Sequence, residues 1–405
     1  MDIGVDIWFT LALAASALVI GRILVLRVNW LARYSIPEAV VGGILFAAAI
    51  MGLRLGAGVQ VNFDTTLLTP LNVMFFTTVG LSADARALIK GGKMLALFLV
   101  VVSGSLLLEN GIGYAMARLF DLHPANGLVT GSIALAGGHG TAAAWGSKFA
   151  EERNVQGVIE LGIAAATYGL VAGGVLGGPF ASWLMRRHQI QGPAHSAPPA
   201  STVADEAPQD ATEPSLEMSR LIETLLLVFV SMAVGFSLYT AFGQGAFTLP
   251  SFIWALVVGV VLRNLLSITG LYHVSNQALD TIGTLSLSLF LAMIIMTLKL
   301  WELVDLAGPV LVILVTQTVA LLAWCAFITF RVMGRNYDAV LLATGHLGFG
   351  LGSTATAMVN VQAVTHRHGH SPLAFLLIPV MGAFLIDLVN ALAIQGFLAL
   401  PAFNW

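Results

Sequence analysis

The sequence is poor in charge: 10% of its 405 residues are Asp, Glu, Lys or Arg, where ordinary soluble domains carry about 25%. Mean hydropathy is +0.89. Together these exclude a conventional soluble globule. Cysteine is nearly missing. The one residue, Cys325, allows neither a disulfide within the chain nor a thiolate metal cluster. No GxxxxGK[ST] phosphate loop and no HExxH motif occurs. The glycines at 348, 350 and 352 stand in no βαβ unit, so they are not a dinucleotide fingerprint. With no nucleophile–base pair in sight, an enzyme is not expected. A net charge of −3 without a basic domain gives nucleic acid no footing. The stretch before the first apolar run holds two aspartates and no basic residue. It lacks the positive start of a signal peptide, so residues 7–26 are expected to stay as a first span.

What the chain has in abundance is apolar runs of about 20 residues, the length of a membrane-crossing helix. A β-barrel would show short alternating segments instead. Runs fall near 7–26, 36–53, 69–82, 93–117, 124–147, 155–185, 220–242, 248–268, 282–298, 305–330, 338–363 and 372–400. Between 189 and 219 the character changes to Pro, Asp and Glu, the composition of a flexible linker. The halves on either side look alike. Thr130-Gly131-Ser132-Ile133 aligns with Thr344-Gly345-His346-Leu347, and Gly138 to Ala143 aligns with Gly352 to Ala357 at the same offset. Weak internal repeats of this kind mark secondary transporters.

Two of the runs, 124–147 and 338–363, are poor helices, because each is broken by glycines. Charge decides how they lie. Suppose the N-terminus is outside and both broken runs enter the membrane and return. Then 13 Lys and Arg face the cytoplasm and 5 the exterior, whereas full crossing would give 10 and 8. The positive-inside rule favours the first arrangement. The expected fold is therefore an all-α polytopic membrane protein with two inverted repeats. Residues 1–188 and 220–405 would each supply about five transmembrane helices. Each would add one re-entrant hairpin, near 124–150 and 338–363. The 189–219 linker would be cytoplasmic and both termini periplasmic.

Gly-rich backbone at membrane depth must be satisfied by protein or by a wet cavity, so both breaks are candidate sites. In the first, Gly137, Gly138 and Gly140 let a ligand approach backbone. Thr141 is a candidate cap for the returning half-helix, whose N-terminus would attract a carboxylate. His139 could donate to a substrate oxygen. The second break offers Gly350, Gly352, Ser353, Thr354 and Thr356, with Asn360 one turn beyond Thr356. The alternative for the first is a packing break with a structural His bonded to backbone, and for the second hydroxyls that simply bond to backbone. Asp387 lies about 22 Å from either end of its run, near the midplane, at 1.5 Å per residue. A carboxylate there is a functional candidate by default. With Asn390 at i+3 it offers hard oxygen ligands for a small cation such as Na⁺, a structural ion pair being the alternative. Asn360 and the carbonyls around Gly350 are further cation candidates. Glu109, Asn110, Glu160 and Gln317 are polar residues within apolar runs, and His366, His368 and His370 are expected to be a solvated loop cluster, metal binding being the alternative.

At these residues the chain resembles the bacterial sodium/glutamate symporter family. The likeness runs through Gly-Gly-His-Gly-Thr at 137–141, Leu-Ser-Leu-Phe-Leu-Ala-Met at 287–293, Asn-Tyr-Asp-Ala at 336–339, Gly-Phe-Gly-Leu-Gly at 348–352 and Ile-Asp-Leu-Val-Asn-Ala-Leu at 386–392. It covers nearly the whole length except the linker. The resemblance implies uptake of L-glutamate driven by Na⁺ across a bacterial inner membrane, with no cofactor beyond the coupling ion, by a homodimer of inverted repeats. Departures are Ala142, where the family pattern has Gly, and Ser353-Thr354-Ala355-Thr356, where it has Ala-Thr-Pro-Thr. These leave another carboxylate, such as a 2-hydroxycarboxylate, as an alternative substrate. An ion channel with re-entrant filter loops is a more distant alternative.

Overall fold

In the computed structural model the described residues are 2–33, 36–193, 218–242, 249–299 and 307–401. Most of the expected linker, and the loop after residue 242, lie outside them. The chain opens with α1 (Ile7–Arg27), a short α2 (Asn29–Arg33), α3 (Glu38–Ala57), α4 (Leu68–Ser82) and α5 (Ala85–Leu119). It continues through α6 (Pro124–Leu128), α7 (Gly138–Arg153) and α8 (Val158–His188). The second half runs α9 (Met218–Phe242), α10 (Ser251–Thr269), α11 (Asn276–Met296), α12 (Ala307–Trp324) and α13 (Phe330–Val332). It ends with α14 (Tyr337–Leu351), α15 (Thr354–His368), α16 (Pro372–Val380) and α17 (Ile386–Leu398). Wider π-helical turns at Val129–Ile133, Cys325–Thr329 and Met381–Leu385 join α6 to the first break, α12 to α13 and α16 to α17.

Local chemistry sets these ends. Asp6 caps α1 by accepting from the N–H groups of Trp8 and Phe9. Ser275, Asn336 and Ser371 do the same for α11, α14 and α16. Among the described residues eight helices are long and apolar enough to cross a membrane. The protein is a multi-pass helical membrane protein. The two other runs expected to cross are α4, of 15 residues, and the α16–α17 pair, interrupted by its π-helical turn. One small departure from an all-α chain is a parallel pair of strands, β1 (Asp2–Val5) and β2 (Gln60–Phe63). It satisfies backbone groups where the chain leaves α3 and ties the first residues to that end.

The helices form two groups. In one, α1 packs on α3 and α11, α3 on α11, and α4 on α9, α10 and α11. Small residues let these backbones close in: Gly42 meets Ala17, and Gly80 meets Leu256. In the other, α8 carries α7, α14 and α15, while α5 carries α6, α12 and α17. The largest apolar cluster fills this second group, with Trp145, Phe98, Phe330 and Phe349 fully buried. The groups meet along α4 and α11, where α11 touches α7 and α4 touches the Met381–Leu385 turn.

Candidate functional site

Both expected breaks lie inside this second group. At the first, helix geometry fails at Gly137-Gly138, and Gly138 takes a left-handed φ of 66°, which an L side chain rarely adopts. The turn lets α7 begin at Gly138. Its cap is Gly137, which has no side chain to offer. The expectation that Thr141 caps this helix is therefore corrected: glycine's freedom starts the helix three residues earlier, and Thr141 sits within its first turn, buried. The first N–H groups of α7 are left without a side-chain cap. His139 is buried, with its Nε2 at 2.9 Å from the Thr167 hydroxyl. That hydroxyl gives its one proton to the Ile163 carbonyl at 2.8 Å. His139 must then be the donor, with the proton on Nε2.

At the second break α14 and α15 fold back on one another, so close that a Cβ on Gly348 would lie 2.5 Å from the Ala357 Cα. Gly352 ends α14, and Ser353 caps α15 by accepting from the Thr356 N–H at 3.2 Å. The hydroxyls of Ser353 and Thr356 lie 3.1 Å apart. Glycines on α8 receive this pair. Gly169 lies against the Leu351 carbonyl, Gly173 against Thr356 and Gly177 against the Asn360 amide. Asn360 donates to the Gly173 carbonyl at 3.0 Å. Gly350 faces Leu321 of α12.

The two breaks open into one cavity of about 530 Å³, the size of a small-molecule site. Gly137, Gly138, His139, Gly140 and Thr141 line it from the first break, and Gly352, Ser353 and Thr354 from the second. Asp387 joins them from the first turn of α17, directly after the π-helical turn. Such turns recur at functional sites. The facing wall comes from the other helix group: Glu38 of α3, Phe75 of α4, and Thr284 and Ser288 of α11. The site thus lies between the two groups. Among the described residues no Lys or Arg lines it. A bound carboxylate would be met by N–H groups and hydroxyls, and a cation or ammonium by Asp387.

Four of the candidates stand behind the wall. Thr356, Asn360 and Gly350 pack within the second group as described. Asn390 donates to the Ser132 carbonyl at 2.9 Å and accepts from the Ser132 hydroxyl. Ser132 in turn bonds to Asn110. Of the other polar residues, Gln317 donates to the Glu109 carbonyl at 2.7 Å, and Glu160 accepts from the Lys299 N–H. His346 is held between Ser105 and Thr329, each at 2.9 Å. No group of three His, Cys, Asp or Glu side chains converges among the described residues. Glu38, Phe75, Thr284 and Ser288 are lining residues that sequence reasoning passed over. The signal available was the i, i+4 spacing of Thr284 and Ser288.

A membrane-embedded helical bundle, with a cavity carrying a few polar groups between two helix groups and broken helices at its wall, is built as a membrane transporter. Comparison with known proteins gives the family. The sodium/glutamate symporter family matches residues 3–370. The Sodium/glutamate symporter of Escherichia coli (strain K12) is 46% identical over 403 residues, 98% of each chain. That of Haemophilus influenzae is 44% identical over 382 residues, 94% of each. This chain belongs to the sodium/glutamate symporter family.

Proposed function

We propose that this protein imports L-glutamate together with Na⁺ by alternating access across a bacterial inner membrane. The observation that carries the proposal is the cavity in which Gly138, Gly352 and Asp387 meet, set between two groups of helices. The names of its relatives, sodium/glutamate symporters at 44% and 46% identity, support both cargo species. Glutamate carboxylates bind the open N-terminus of α7 and the hydroxyls of Thr141, Ser353 and Thr354. His139 donates to a carboxylate or holds the first break through Thr167. Na⁺ binds at Asp387, whose charge offsets part of the ion's dehydration. The bound cation favours the anionic substrate, and by linkage the substrate favours the cation. Thr356, Asn360, Gly350 and Asn390 hold the breaks in place around these ligands.

The order of elements supports two repeats, one through α8 and one from α9, each holding one Gly-rich pair. Charge counting supports their inversion, with the two hairpins re-entrant from opposite faces, both termini periplasmic and the 189–219 linker cytoplasmic. In an elevator-type motion the group holding both breaks slides against the α1, α3, α4, α9, α10 and α11 group and carries the cavity with it. The scaffold group then forms the contact of a homodimer. Radiolabelled glutamate uptake into proteoliposomes, under Na⁺, K⁺ or H⁺ gradients, tests the proposal. Uptake that follows the Na⁺ gradient and is competed by glutamate supports it. Uptake indifferent to Na⁺, or competed better by a 2-hydroxycarboxylate, overturns the ion or the substrate respectively.

A further inference from the structure

Away from the cavity, α8 carries a second arrangement. Its last turn holds Arg186 and Arg187, and the last turn of α15 holds Arg367 and His368. These four side chains line a pocket of about 780 Å³ that has no Asp or Glu among the described residues of its wall. Pro179 and Trp183 also line it, and the same two residues line a neighbouring groove of about 410 Å³ between α8 and α12. The rest of that groove is apolar: Leu176, Phe180, Leu322, Ala323, Ala326 and Phe327. Ala323 and Ala326 leave the hollow, and Phe180 and Trp183 stack along one edge with ring centroids 6.4 Å apart. Trp183 and Phe327 are 47% and 54% exposed, toward the surroundings of the bundle. The Arg331 guanidinium lies over the Phe327 ring at 5.4 Å, adding a further cation at the same end.

A basic pocket at helix ends, continuous with an apolar groove on the flank, has the two-part chemistry of a phospholipid. We propose that this surface is a binding site for an anionic diacyl phospholipid. The phosphate sits among Arg186, Arg187 and Arg367, whose planar donors suit it. One acyl chain lies along the groove. From Arg186 back to Leu176 is ten residues, about 15 Å of helix, which is half of a hydrocarbon core about 30 Å thick. Pocket and groove together therefore have the length of one leaflet. Trp183 stands at the boundary, where amphipathic rings gather. Basic pockets between membrane helices are known to hold anionic headgroups. The site is independent of the substrate taken by the central cavity.

Native mass spectrometry of the full-length protein, with phosphatidylglycerol or phosphatidylethanolamine added, tests this. Phosphatidylglycerol is expected to be retained at least tenfold better. Arg186→Gln/Arg187→Gln/Arg367→Gln should lower its retention more than tenfold and leave phosphatidylethanolamine unchanged. Ala326→Trp should also lower it, by filling the groove. Phe327→Ser, at an exposed position, serves the same purpose if the tryptophan is not folded. Equal retention of the two lipids, or no effect of the arginine changes, would overturn the proposal. So would loss through the arginines alone, with intact grooves irrelevant and inorganic phosphate competing, since that marks a free-anion site.

Discussion

Gly138 and Gly352 meet at the cavity wall, although 214 residues separate them in the chain: a Cβ built on Gly138 would lie 3.5 Å from the Gly352 carbonyl oxygen. The two breaks thus abut and form one stretch of the cavity wall, and a ligand resting against it touches both halves of the chain. That contact explains why two Gly-rich stretches so far apart share one cavity. Either one alone would leave freed backbone facing apolar side chains.

Gly138→Val is expected to abolish glutamate uptake while the protein still inserts. The left-handed φ disfavours any L side chain by about 1–2 kcal/mol, and the added methyls would enter the cavity. Gly352→Val meets a different obstacle, because its Cβ would come within 3.1 Å of the Leu170 Cα. Near-normal uptake in either variant, at matched membrane protein levels, would reduce the breaks to packing features.

Thr167 touches no ligand in this scheme but accepts the His139 proton. Removing the hydroxyl in Thr167→Val leaves a buried donor unpaired, at a cost of about 1–3 kcal/mol. A fall of about tenfold in uptake rate is expected, while Thr167→Ser, which keeps the acceptor, stays close to wild type. Equal activity in both variants would show that the orientation of His139 is immaterial.

Thr284 and Ser288 present hydroxyls from the other helix group. If they bind substrate, the double change to Ala should raise the KM for glutamate by roughly tenfold, the scale of a lost hydrogen bond to a charged group. The Na⁺ dependence should change little. The measurement is uptake against glutamate concentration in saturating Na⁺, and an unchanged KM would remove α11 from the substrate site.

Topology can be read without first removing the native thiol, because Cys325 is fully buried. A cysteine placed in the 190–215 linker should react with an impermeant maleimide only from the cytoplasmic side, and one placed at 242–247 only from outside. Labelling of the linker from outside would end the inverted-repeat arrangement.

The run boundaries were legible because hydropathy fixes them: α1 spans Ile7–Arg27 where an apolar run at 7–26 is evident. The breaks were legible because glycine stands out among Leu and Val. Less visible was how each break is capped. Ser353 and Thr354 are both placed in the sequence to cap α15, and Ser353 does so, but Thr141 does not cap α7, since the left-handed turn at Gly138 moves the helix start. Spacing also predicts one face for Asp387 and Asn390. Three residues advance a helix to within about 60° of the starting direction, and that remainder is enough to turn Asn390 onto Ser132 while Asp387 lines the cavity. Thr284 and Ser288 went unremarked because hydroxyls in membrane helices commonly bond to their own backbone. Only the tertiary packing of α11 against the breaks singles them out.

Asp387 carries the sharpest prediction. It lines the cavity from the first turn of α17, and among the described residues no Lys or Arg lines the cavity with it. A carboxylate at that depth stands ready to take a cation. If Na⁺ binds it, the neutral amide of Asp387→Asn should weaken Na⁺ and leave glutamate affinity in saturating Na⁺ nearly unchanged. The Na⁺ concentration for half-maximal uptake should rise by tenfold or more, since about 1.4 kcal/mol of lost attraction already gives that factor. If the carboxylate instead grips the substrate ammonium, the KM for glutamate should rise at every Na⁺ concentration and the Na⁺ midpoint should hold. If its role is only structural, the yield of folded protein should fall and both constants of the remainder should persist. Uptake measured over a grid of Na⁺ and glutamate concentrations, normalised to monodisperse protein, separates the three. A fixed Na⁺ midpoint would refute the cation assignment and move the search to Asn360, Asn390 and the carbonyls around Gly350.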